Sequence, residues 1–159
     1  MAVDMFLKID GIDGESKDQK MSKQIEITTF SFSAEQVGTA ESGGGMGAGK
    51  VKFENFEFTM PTQKASTKLF EACASGKHIP TAVLSIRKAG GSQEVFLKHS
   101  FHDLIISSYA TKDGDPQPED TVKFNFVKLV SEYKEQGEDG KLKGAITGGW
   151  DLKKNAKAQ

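Results

Sequence analysis

Gly44, Gly49 and Lys50 stand at the spacing G-x-x-x-x-G-K, that of a loop that cradles phosphate. Such a loop needs a Ser or Thr next, to hold magnesium, and then a helix whose first N–H groups face the phosphate. Here Val51 takes the hydroxyl position, and residues 50–58 alternate apolar and polar as a strand does. The glycines therefore join two strands, and no phosphate chemistry is expected of them. His99 and His102 resemble a metal pair, but on a strand their parity differs, so they point to opposite faces. Asp10, Asp13-Gly14 and Asp113-Gly114-Asp115 lack the ligand order of a calcium loop and read as turns. Cys73 falls on the apolar stripe of a predicted helix, the place of a structural thiol. With no G-x-S-x-G elbow and no paired carboxylates at strand ends, the sequence predicts neither catalysis, metal nor cofactor.

Charge narrows the partners. Twenty-one Lys and Arg against 22 Asp and Glu give a net charge of −1. A nucleic-acid binder needs a positive field, which is missing here, so no nucleic acid is expected. Lys153, Lys154 and Lys157 make one local concentration, read as a solvated tail. A single cysteine excludes an internal disulfide. Asp4 and Lys8 interrupt the first apolar run, so no secretory signal is read there, and no segment reaches the ~20 apolar residues of a membrane helix. A cytoplasmic chain with no membrane insertion is expected, leaving the cell, if it does, without such a signal. The 159 residues suffice for one core, read as a single domain over 1–159 with a mobile tail over about 155–159.

The elements that must position these residues are mostly strands. Val3, Met5, Leu7 and Ile9 alternate, and residues 25–33 form a second strand. Its apolar face switches near Thr28-Thr29, as it does in a strand that passes from one neighbour to another. A similar switch at Glu54-Asn55 separates Val51 and Phe53 from Phe56, Phe58 and Met60. Residues 65–75 form the one helix, with Ser66 as its cap, Leu69, Phe70 and Cys73 as its apolar stripe, and Gly76 just past its end. Strands follow at 81–88, 95–111 (one or two), 121–134 and 144–152. A mainly β fold results, a β-barrel or pair of sheets with one flanking helix.

Leu104, Ile105 and Ile106 are apolar on both strand faces, as are Val127 and Leu129 around Lys128. One helix of about ten residues covers only part of a sheet. The second apolar face is therefore expected to meet another copy of the chain, which makes these five residues candidates for a subunit interface. The alternative is a monomeric β-barrel that binds a small ligand in an enclosed apolar cavity.

Five stretches occur in one order: MAVDMFLKIDGIDGESKD, GGGMGAGKVKF, ACASGKHIP with LSIRKAGG, and GGWDLKKN at the end. In that order they resemble the haemolysin-coregulated protein (Hcp) family, the tube proteins of bacterial type VI secretion, over nearly the whole chain. Where many members have Trp-Ser-Trp-Gly, this chain has Phe30-Ser31-Phe32-Ser33, keeping aromatic bulk and losing the glycine. The resemblance implies a tail-tube-like fold, homohexameric rings that stack into a tube, a sheath and spike as partners, and small effector proteins carried and protected in the lumen. It implies a secreted destination, and a length too short for a fused effector domain. It further implies that Ser31 faces the lumen. The loop over residues 38–50, with Gly43, Gly44, Gly45, Met46, Gly47, Ala48, Gly49 and Lys50, would reach the next ring.

Overall fold

The computed structural model describes residues 2–39 and 47–159. Twelve strands and one helix follow in chain order: β1 Val3–Ile9, β2 Ile25–Glu26, β3 Thr29–Ser31, β4 Ala34–Thr39, β5 Gly47–Phe53, β6 Phe56–Pro61, α1 Ala65–Ser75, β7 His78–Lys88, β8 Val95–Lys112, β9 Glu119–Asn125, β10 Lys128–Gln136, β11 Leu142–Asp151 and β12 Ala156–Lys157. Ten of the strands form one branched sheet. Its main path runs β12-β11-β10-β8-β7-β1-β2, and β9, β6 and β3 branch from β8. Among the described residues β4 and β5 pair only with each other, as a separate two-stranded sheet.

The long hairpin of β8 with β9 and β10 explains the branching. β10 pairs with β8 up to His102, and β9 pairs with it from Ile105 onward. Between them Asp103 adopts φ 57°, a left-handed conformation that Asp tolerates better than most residues. Opposite, the Val127 N–H donates to the His102 carbonyl at 3.0 Å in the gap between β9 and β10. The hairpin therefore bends at one place on both strands and serves both sides of the core.

The switch expected near Thr28 is a transfer between neighbours. β2 pairs with β1 and β3 pairs with β6. In between, the Ile27 N–H donates to Met5 O (3.1 Å) and the Thr28 N–H to Thr59 O (2.8 Å). The expected barrel is corrected in this respect: among the described residues no ladder closes. At the β2–β3 end the chain, not a ladder, joins the β1 side to the β6 side, because residues 27–28 turn from one partner to the other.

The core is aromatic. Phe56, Phe58, Phe101 and Phe124 are fully buried among Leu7, Ile25, Met60 and Leu84. Phe56 lies 4.8 Å from both the Phe101 and the Phe124 ring. α1 closes one side through Ala65, Leu69 and Ala72, spaced for one face. It ends at Gly76, φ 64°, whose N–H bonds the Ala72 carbonyl.

Ser66 does not cap α1 as expected. It lies buried in the first turn, where its Oγ accepts the Gln63 N–H and donates to Asp120. Asp120 is wholly buried and also accepts from Thr62 Oγ1 (2.8 Å) and Tyr109 Oη (3.0 Å). Burial raises the Asp120 pKa, but bonds from Ser66, Thr111, Thr62 and Tyr109 outweigh it and hold the carboxyl below its ordinary value. The helix is thus tied to the sheet through an ionised carboxylate.

The last residues fold back onto β11. Ala156 pairs with Asp151 and Lys157 with Trp150, and the Ala158 N–H donates to Gly149 O. Gly149 permits this. A Cβ there would meet Ala158 O at 2.7 Å and Leu129 O at 2.9 Å.

Candidate assembly surfaces

Ser31 ends β3 opposite Glu57 and is exposed. Its neighbours fix that direction. Phe30 turns inward and stacks on Phe56 (6.0 Å, 16°), and Phe32 packs edge-on against Phe101 (5.9 Å, 90°). Strand alternation carries the Ser31 face across Thr29, Thr59 and Glu57 to Thr121 and Lys123. Thr29 Oγ1 and Thr59 Oγ1 share a 2.7 Å hydrogen bond, and Lys123 lies 3.7 Å from Glu57. These residues make a polar, hydroxyl-rich sheet face.

The glycine-rich stretch is only partly a loop. Gly47, Ala48, Gly49 and Lys50 belong to β5, where Gly47 pairs with Thr39 and Ala48 with Gly38. Backbone pairing needs no side chains, so a glycine run can continue a hairpin that a propensity argument reads as loop. Gly43, Gly44, Gly45 and Met46 lie outside the described residues. Aromatic rings hold the hairpin's root. Phe53 stacks on Phe126 (5.2 Å, 26°), Phe32 contacts Phe56, His99, Phe101 and Phe126, and the Glu54 N–H donates to Ser33 O.

Two of the five interface candidates are corrected. Leu104 and Ile106 are 0% and 1% exposed and belong to the protomer's own core. The left-handed Asp103 shifts the parity of β8, so that Phe101 points inward and Leu104, three residues on, does too. Only Ile105 of that triplet faces outward. Ile105 and Val127 together line an open groove of about 550 Å³ with Phe126 and Leu152, rimmed by His78, Asp103, Asn125 and Lys153. Leu129 is half-buried between Phe101 and Trp150 and packs on the core.

Several surface features have no sequence signal as strong. Ile146 is 65% exposed in the middle of β11, and Phe70 is 58% exposed on α1. Val3, Phe96, Tyr133 and Leu142 line a second, smaller groove of about 210 Å³. Arg87 looks like a surface strand residue but is 2% exposed beneath residues 13–24. It donates to Asp18 and Asp4, and its guanidinium lies 4.8 Å over the Phe6 ring. The Arg87 hydrogen bond lowers the Asp18 pKa to about 2. Among the described residues no group of His, Cys, Asp and Glu could hold a metal. His99 and His102 do point apart: His99 is buried against Ser131, and His102 lies on the other, half-exposed face.

Known proteins share this architecture. The family model described as type VI secretion system effector, Hcp, matches residues 6–133. Protein hcp1 of Pseudomonas aeruginosa is 39% identical, with 99% of this chain and 100% of that protein aligned. Hcp1 from Salmonella typhimurium superposes with a TM-score of 0.83 at 39% identity, over 99% of this chain and 100% of that one. A structure described as a type six secretion system protein gives 0.93 at 34% identity, over 99% and 100%. No helix among the described residues is long and apolar enough to cross a membrane. By sequence and by fold, this chain belongs to the Hcp family, the structural, secreted tube proteins of type VI secretion.

Proposed function

We propose that this chain forms homohexameric rings that stack into the inner tube of a type VI machine, with small effectors carried in the lumen. The observation that carries this reading is the β4–β5 hairpin, which among the described residues pairs with nothing but itself and yet is rooted by aromatic rings. A rigidly rooted arm with few side chains suits docking against a neighbour's backbone. In this reading the arm spans to the next ring. The polar face around Ser31 lines the lumen, where it offers hydrogen bonds without an adhesive apolar patch. The groove of Ile105 and Val127 takes part of the neighbouring subunit in a head-to-tail contact, which closes a ring when its rotation divides the circle. Sheath and spike proteins meet the tube's outside and end, and the assembled tube is exported from the cytoplasm.

A single small-ligand barrel is less well supported. It needs an interior chamber, and Phe56, Phe58, Phe101 and Phe124 occupy that interior. Light scattering on the purified protein, with negative-stain microscopy of the same peak, tests the proposal. Hollow six-membered rings are expected. A monomer over a wide concentration range would overturn it.

A further inference from the structure

His99 is a titratable group that tube formation does not call for, and it sits where the arm is rooted. It is 8% exposed. Its ring lies 5.1 Å from Phe32, 6.2 Å from Phe30 and 6.4 Å from Phe101, and its Nδ1 is 2.7 Å from Ser131 Oγ. We propose that His99 is an acid-sensitive latch: protonating its imidazole releases Phe30 and Phe32, and with them the root of the β4–β5 arm.

The surroundings offer a cation no opposite charge. On β7 the residues sharing its face are Ala82, Leu84 and Ile86, opposite Phe101, His99 and Leu97. On β10 they are Leu129, Ser131 and Tyr133, opposite the same three. Phe30 and Phe32 cover it from the segment leading into the arm, and Phe56 packs behind them. Tyr133 is the one titratable group among these, and no carboxylate or other charge is. The Ser131 hydroxyl can serve either protonation state by rotating, so it neither blocks nor compensates the added charge. A buried, unpaired imidazolium is costly, and rearrangement to reach water relieves it.

The segment that would move is lightly attached. β3 makes a three-residue ladder with β6, and the arm belongs to a sheet of its own. Burial already lowers the His99 pKa from its ordinary 6.5. The released form therefore takes the proton first. Attachment is complete above 6.5 and weakens as pH falls below it, by up to about tenfold in the open-to-closed ratio per pH unit.

The latch goes beyond the ring reading and stands or falls separately, because its readout is amide exchange within the subunit. Hydrogen exchange, corrected for intrinsic rates, is compared near pH 7.5 and near pH 5 for the full chain and for His99→Phe. The wild-type chain is expected to lose about tenfold in protection over residues 29–34 and 50–53, while β1 and β7 keep theirs and His99→Phe loses none. Equal acid loss in the variant, no loss in the wild type, or loss spread over β1 and β7 overturns the proposal. Carbon-13 NMR titration of the wild-type histidines decides independently of any variant: a His99 that titrates at or above 6.5 in the folded protein refutes the latch.

Discussion

Phe32→Ala removes the ring that joins the arm to the core. Phe32 is half-buried and touches Phe56 at 6.2 Å, His99 at 5.1 Å, Phe101 at 5.9 Å and Phe126 at 6.5 Å. Truncating a fully buried Phe costs about 3–5 kcal/mol. With part of this ring already open to water, about 2–3 kcal/mol is expected. For a chain of this size that lowers Tm by about 4–12 °C, at about 2–4 °C per kcal/mol. The loss should also appear in assembly, since the ring sits at the base of β4 and meets the groove of Ile105 and Val127 only through Phe126. Single rings should persist while stacking weakens. Urea unfolding at fixed protein concentration gives the stability term, and sedimentation velocity separates single rings from stacks. Phe70→Ala is the control: that ring is 58% exposed, and its loss should cost under about 0.5 kcal/mol. Phe32→Ala within 0.5 kcal/mol of wild type, or rings and stacks lost together, would refute the view that aromatic packing roots an independent arm.

Four further outcomes are expected. Gly47→Pro removes a backbone donor from the β4–β5 ladder and should weaken stacking with rings intact by sedimentation. Ser31→Gln, on an exposed position, should leave Tm within about 1 °C and reduce effector recovered in a pull-down, by crowding the polar face. Ile105→Lys puts a charge in the groove and should shift the light-scattering mass towards the monomer. Asp120→Ala strands the hydroxyls of Thr62, Ser66 and Tyr109 and should cost about 3 kcal/mol in urea unfolding, the stabilisation from the ionised carboxyl being present above pH 3.8 and lost as pH falls below it.

Much of the fold was legible because its signals are local. The helix over residues 65–75 was bounded by apolar spacing and by Gly76, and the transfer near Thr28 showed as a change of strand parity. The outward direction of Ser31 follows from the phenylalanines on either side of it, whereas the polar face it joins is assembled by β6 and β9. What escaped depends on contacts distant in sequence. Nothing near Asp103 announces a left-handed residue, so Leu104 and Ile106 looked two-faced when a parity shift turns both inward. Arg87 alternates like a solvent residue, and it is buried among Asp18, 69 positions away, Asp4 and Phe6. The glycines of β5 lack every side-chain signal for a strand and pair through the backbone alone.

The phenylalanine-filled interior decides where any compartment can be. Where these rings are packed there is no room for a passenger. Shelter would then be a property of a closed circle of copies and of nothing smaller: an arc lacking one member encloses no space at all. Protection of a passenger should vary with subunit concentration as ring closure does, far more steeply than occupancy of a pocket on a single chain. A modest loss of affinity at the groove of Ile105 and Val127 would then cost the passenger its refuge before it measurably harmed the subunit.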